Sequence, residues 1–392
     1  MKKNAVSKNK LYTLIALLVI IGLLSFLQAN SAQYSYQISI LERSAIYAVV
    51  AVSMNLLTGF TGLFSLGQAG FMAIGAYTVA ILTIPVDNRA SVYYVNGIAP
   101  AIANLHCPYW LALIIAGLLA AAMAALIGIP VLRLKSDYLA IATLGFSEII
   151  RAVIAAPQLD TITNGSYGLK NIPGFPNLFV AFGLCALCIF LMVLLINSSY
   201  GRAFKAIRED EVAAQAMGLN LFRYKELAFV ISSFFTGVGG GLLAIFMRSI
   251  DSKTFSINLI YDILLIVVLG GIGSITGSII GAFLVTAGRE WLRFFDNPLV
   301  IGGFQVPLFR SGFRMVIFSI LLMAVVLFYR RGIMGSNEFS WAGLGRLIRR
   351  VLSRLKRKSK AQKHPAGIPL HPVKRGGPCP ESVDSDEKGE NA

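Results

Sequence analysis

Long apolar runs alternate with short charged or glycine-rich breaks along most of this chain. Leu11–Leu27, Ile38–Leu57, Leu111–Leu132, Leu132–Val153, Leu178–Ile196, Leu227–Met247 and Met315–Phe328 are apolar runs that approach or reach the length of a membrane-crossing helix, roughly 20 residues. Two further stretches are apolar but interrupted. Leu57–Leu82 carries glycines 59, 62, 67, 70 and 75, and Leu259–Leu269 and Ser278–Ala287 flank the sequence GGIGSITG. The eleven residues Leu259–Leu269 are too few for a straight span. The pattern predicts an all-α polytopic membrane protein with about ten transmembrane helices, some of them short or broken.

Composition agrees. The 392 residues are 56% hydrophobic and 14% charged, far from a soluble domain. The 37 glycines suit helices that pack closely in lipid. The net charge of +16 raises the question of nucleic acid. Much of it lies after Tyr329 and the rest is spread over loops, so positive-inside topology and an anionic leaflet explain it without nucleic acid. Loop charge places both termini in the cytoplasm and the chain in the cell (inner) membrane, multi-pass. Arg289, Arg293, Arg310 and Arg314 then fall outside, against the usual bias. Lys2, Lys3, Lys8 and Lys10 precede Leu11–Leu27, which reads as an uncleaved first helix, with a cleaved signal peptide as the alternative.

Tyr200–Lys225 is a charged island between two apolar runs, with basic residues Arg202, Lys205, Arg208, Arg223 and Lys225. Ala203–Met217 has no Gly or Pro and predicts one short cytosolic helix, with Gly218 at its left-handed C-terminal cap. Ala213, Ala214, Ala216 and Gly218 keep a surface small enough for another protein to approach. The acidic cluster Glu209, Asp210 and Glu211 exceeds what a topology signal needs. An ordinary solvated loop is the competing reading.

Within Leu57–Leu82, the glycines together with Ser65 and Gln68 read as a broken helix lining a translocation path, with Gly62, Ser65, Gly67, Gln68 and Gly70 as its candidate residues. Close packing of small residues is the alternative. Glu148 and Arg151, spaced i,i+3 in Leu132–Val153, can pair. An ionisable pair inside a span marks either a structural lock or the path. Asn164-Gly165, Gly168 and Pro173-Gly174 specify successive turns in the outer loop 157–177. Cys185 and Cys188 read as buried thiols, and the adjacent His106 and Cys107 do not make a metal site.

Glu211, Ala213, Ala214 and Gly218 resemble the coupling loop of ABC importer permeases. Leu132–Arg151 and Asn164–Pro173 resemble the LivM-like branched-chain amino acid permeases far more specifically, running from the basic LRL end through DYLAIATLGF and EIIR to NG, GL and IP. Ser147 stands where that family often has Gly. The resemblance covers roughly 46–331. It implies a transport subunit, not an enzyme, that translocates branched-chain or other small amino acids. It also implies a paralogous permease subunit, two cytosolic ATPase subunits that carry the ATP and magnesium, and a periplasmic amino-acid-binding protein. Arg208, Glu209, Glu211, Ala213, Ala214 and Gly218 would then form the docking segment. Urea or another small polar solute, or a stand-alone secondary transporter, are the alternatives.

What the chain lacks points the same way. It holds no G-x-x-x-x-G-K-[ST] for phosphates, and two of its three histidines, His364 and His371, lie in the tail. The expected organisation is a permease domain over 1–331 with its coupling loop at 200–225. A basic amphipathic helix over 332–360 would lie on membrane lipid, followed by a disordered tail over 361–392.

Overall fold

A computed structural model describes residues 18–292 apart from 95, 96 and 135, with residue 15 and isolated positions between 300 and 338. The chain divides into two compact units, Met1–Phe339 and Ser340–Ala392. The second lies outside the described residues, as do the tail and most of both the expected amphipathic helix and Met315–Phe328.

The first unit is helical: α1 (Leu18–Ala29), α2 (Ser35–Asn55), α3 (Gln68–Thr83), α4 (Val86–Val92), α5 (Pro100–Ala103), α6 (Tyr109–Val131), α7 (Ser136–Ile154), α8 (Asp160–Thr163), α9 (Leu178–Asn197), α10 (Ser199–Glu209), α11 (Glu211–Ala216), α12 (Leu221–Met247), α13 (Ile257–Gly270) and α14 (Ile275–Trp291). The one ladder among the described residues pairs Val300–Ile301 with Phe304–Gln305. Among the described residues, four helical segments are long and apolar enough to cross a membrane, or up to five if the bent pair Tyr138–Ile154 and Pro157–Thr163 is one span. Leu18–Ala29, Gln68–Thr83 and Ile257–Gly270 are apolar but shorter.

Burial sorts these elements. The spans built on α2 and α12 are each 78% buried, against 28% for α9. α12 sits at the centre, packed chiefly on α3, α6 and α2. Lipid tails are as apolar as leucine, so burial alone does not draw helices together there; close backbone approach does. Gly237 faces Ala116 and Ala120 of α6 while its carbonyl abuts Gly75 of α3. Gly241 faces Val79 of α3 and Leu113 of α6. The G-x-x-x-G spacing therefore serves two neighbours at once.

The glycine-rich break is present. A π-helical turn, Leu56–Phe60, extends α2, and the chain leaves helix from Thr61 to Gly67 before α3 begins. The loop 84–108 is more ordered than its polar composition suggests, because Arg89 is buried and its guanidinium donates to the carbonyls of Ile81, Ile84 and Ala103, among others. Those bonds satisfy carbonyls left without a helical partner at the C-terminal ends of α3 and α5. At the same end of the bundle, Leu169 and Ile250 exchange backbone hydrogen bonds of 2.9 and 2.8 Å. Asn164 takes the left-handed conformation and donates to Gly168 O and Val92 O. The first helix is tied in: Leu24 and Leu27 pack with Leu178, and Gln28 Oε1 accepts from Leu178 N at 3.1 Å.

Candidate functional site

The charged island does not form one rod. It folds as two helices, α10 and α11, broken at Asp210. Asp210 adopts an extended backbone, and its Oδ1 accepts hydrogen bonds from Val212 N (2.8 Å) and Ala213 N (3.1 Å). Helix start is where a short carboxylate is strongest, since the first amides have no intrahelical partner. Gly218 ends α11 as expected, at φ +85°. Its N–H donates to Gln215 O and that of Leu219 donates to Ala214 O, which satisfies the last carbonyls.

The two helices face different ways. α10 is amphipathic: Ala203, Phe204 and Ile207 are buried, and Phe204 packs edge-on against Tyr224 of α12. α11 turns Ala214 inward and leaves Val212 and Met217 77% and 85% exposed. The small residues do not all share one outward surface, because Ala213 and Ala216 are exposed while Ala214 is buried. Glu211 pairs with Lys225 at 2.6 Å, tying α11 to the start of α12. The Glu211 side of that pair is half exposed, so the pair adds little stability.

Arg208 links this helix pair to the membrane core. Its Nη1 donates to Gly59 O at 2.6 Å, its side chain lies against Gly62, and it also pairs with Glu209. One turn earlier, the Lys205 ammonium sits 5.4 Å from the Phe60 ring centre. Both contacts fall on the π-helical turn. Beside it, buried Asn55 donates to Ser274 O (2.9 Å) and Ser278 Oγ (2.8 Å) and accepts from Gly273 N (2.8 Å). The two glycine turns, far apart in sequence, thus meet at one asparagine beneath α10. Glu338 closes the group by accepting from Ile275 N at 2.8 Å. Asn55→Ala would leave the buried amide of Gly273 unsatisfied, at about 1–3 kcal/mol, while the carbonyl of Ser274 keeps Ser278 as a donor. Thermal unfolding in detergent is expected to fall clearly for Asn55→Ala and less for Asn55→Asp, which keeps the acceptor.

The candidate path residues lie deeper. Ser65 and Gln68 are buried. Gln68 Nε2 reaches Ser232 Oγ at 3.5 Å and its Oε1 accepts from Thr236. Thr236 also meets Ser53 Oγ at 2.9 Å, and Ser232 Oγ donates to Ser53 O at 2.6 Å. A polar knot therefore joins α2, α3 and α12. Gly67 and Gly70 lie against Thr143 and Ser147 of α7, and Leu66 N donates to Thr143 Oγ1 at 3.0 Å. The side chain of Ser147 fits where α7 crosses Gly70. Glu148 and Arg151 pair on α7 at 2.6 Å, each about one-third exposed.

Val212, Met217, Asn55 and the buried face of α10 were not singled out in the sequence, and Asp210 was noted only within an acidic cluster, not as a helix cap. Asp210 carried a usable signal, an aspartate directly before the helix-forming run EVAAQA. The partners of Asn55 lie more than 200 residues away, and nothing local announces them.

A multi-pass helical bundle with an exposed helix pair clamped to breaks in its central spans fits an integral membrane transport subunit. Residues 36–328 match the family described as the branched-chain amino acid transport system / permease component, and the chain belongs to that family. It is a multi-pass inner membrane protein. The chain is 35% identical over 335 residues to the high-affinity branched-chain amino acid transport system permease protein LivM of Escherichia coli, covering 76% of this chain and 72% of that one. The probable branched-chain amino acid transport permease LivH of Methanocaldococcus jannaschii is 28% identical over 218 residues, covering 55% and 65%. The ribose import permease RbsC of Escherichia coli is 25% identical over 332 residues, covering 80% and 92%. No solved structure matches.

Proposed function

We propose that this chain is a transmembrane subunit of an ATP-driven ABC importer, translocating branched-chain or other small amino acids across the inner membrane. The observation that carries the reading is the hydrogen bond from Arg208 to Gly59. It joins an exposed cytosolic helix pair to the break in a central span. The chain crosses the membrane about ten times, counting short helices, with both ends in the cytoplasm. α11 docks on a separate ATPase, where Val212, Met217 and Ala213 meet its surface, and ATP and magnesium belong to that subunit. A second permease completes the pathway, as the LivH relative suggests, and a periplasmic binding protein delivers the solute.

ATP binding closes the two ATPases and pulls α11. Arg208 and Lys205 pass the displacement to the π-helical turn, and Asn55 passes it to the turn at Gly273. A near-complete swing between outward- and inward-open states needs about 5.5 kcal/mol of differential binding. Gly67, Gly70 and the polar knot at Gln68 sit where α2, α3, α7 and α12 would slide during that swing, and Gly62 sits at the Arg208 contact itself. Glu148 and Arg151 hold α7.

The test is reconstitution of the subunit with its partner permease, the ATPases and the binding protein in proteoliposomes. ATP-dependent leucine uptake is expected, with ribose and urea excluded. Preference for ribose would overturn the substrate class. Gradient-driven uptake by this chain alone would overturn the importer. Gly218→Val places a β-branched residue at φ +85°, which strains the backbone by about 1–2 kcal/mol. It is expected to uncouple ATP hydrolysis from uptake, leaving the ATPase active while uptake falls.

A further inference from the structure

We propose that the cavity between α1, α2, the start of α9 and the end of α12 binds the charged head of an α-amino acid. Glu42 takes the ammonium group and Arg248 takes the carboxylate. The proposal rests on the importer reading above and locates an entry site within it.

The cavity encloses about 290 Å³ at the end of the bundle opposite the coupling helices. That is the low end for ligand sites, suited to a small solute. Its charged groups come from different elements, Glu42 from α2 and Arg248 from the C-terminal cap of α12. They interact electrostatically across it. Neither is drawn into one of the ion pairs found among the described residues. A neighbouring cavity of about 260 Å³ shows the contrast. Its charged groups are already closed in pairs, Arg43 with Glu290 at 3.4 Å and Asp262 with Arg289 at 2.6 Å.

Arg248 is held in place by its surroundings. Its guanidinium lies against Gly174, where any side chain would displace it, and its carbonyl accepts from Ile172 N at 3.1 Å. The turns at 171–174 therefore position a cation at the cavity wall. Ser31, Ser35 and Ser39 add hydroxyls, and Phe175 and Phe246 add an apolar patch for an aliphatic side chain. A sugar or urea carries no charge for either group and would leave both without a partner in the cavity. A zwitterion satisfies both with charge-assisted hydrogen bonds, about twice as strong as neutral ones.

The complete importer in lipid nanodiscs, without binding protein, is titrated with L-leucine, L-leucinamide and 4-methyl-2-oxopentanoate. Leucine is expected to bind. Leucinamide, which lacks the carboxylate, and the oxo acid, which lacks the ammonium, are each expected to bind about tenfold or more weakly. Glu42→Gln is expected to weaken leucine and to abolish its preference over the oxo acid. Arg248→Gln is expected to abolish its preference over leucinamide. Glu42→Asp and Arg248→Lys, which keep the charges, should largely restore the selectivity. Unchanged selectivity in both glutamine variants would overturn the site, as would an equal loss of all three ligands. ATP-driven leucine uptake by a wild-type importer whose nanodisc form binds no leucine would overturn the site and leave the importer standing. A complete importer that takes up no leucine at all would overturn both.

Discussion

Replacing Val212 and Met217 together with aspartate is expected to abolish ATP-driven uptake while the subunit still folds and inserts. Both side chains are more than three-quarters exposed at the tip of α11, so nothing in this chain loses packing when they change. Fully burying a side chain of this size against a partner is worth about 1.5–3 kcal/mol. Losing two, and burying carboxylates in their place, weakens docking by some 3–6 kcal/mol before any charge penalty. ATPase co-purification and uptake in proteoliposomes are the readouts, with thermal unfolding as the control. Uptake within twofold of wild type would remove α11 as the docking element.

The second large effect is expected from Gly75→Val. A Cβ at Gly75 would run into the carbonyl oxygen of Gly237, and one at Gly240 into the carbonyl of Met72. The obstacle in each case is backbone, so no rotamer change relieves it. Overpacking of this kind costs about 1–3 kcal/mol or more. Here it also separates α3 from the central helix α12 and pulls on the knot at Gln68. The expected outcome is a marked fall in folded subunit recovered from membranes, with Gly75→Ala intermediate. Gly183→Ala, at a position with open space around it, should be silent.

The contrast between these sites shows what the sequence alone discloses. Membrane helices and their breaks announce themselves locally, because hydrophobic length and glycine density are properties of short windows. Thus the interruption between α2 and α3, the Glu148–Arg151 pair and the left-handed cap at Gly218 were readable. The division of the exposed segment at Asp210 was readable in principle. It was hidden by the helix-forming residues on both sides, which make an unbroken run look favourable. Exposure on α11 depends on which way α10 turns, and that is set by Phe204 and Ile207 packing on α12. The junction of Asn55 with Gly273, Ser274 and Ser278, and the bonding of Gln68 to Ser232 and Thr236, join parts of the chain more than 160 residues apart. Such pairings are decided by tertiary packing. The opposition of Glu42 and Arg248 across one cavity has the same origin.

The coupling role requires that α11 is held by a nucleotide hydrolase at the cytoplasmic face. A single cysteine at Met217, in a chain whose native cysteines are replaced, can be probed in intact cells and in inverted vesicles with a membrane-impermeant maleimide, then with a short bifunctional crosslinker. Labelling is expected only in inverted vesicles, together with a crosslink to an ATPase subunit whose yield changes when ATP is added. Labelling in intact cells, or labelling from the cytoplasmic side with no ATPase captured in either nucleotide state, would contradict the coupling role.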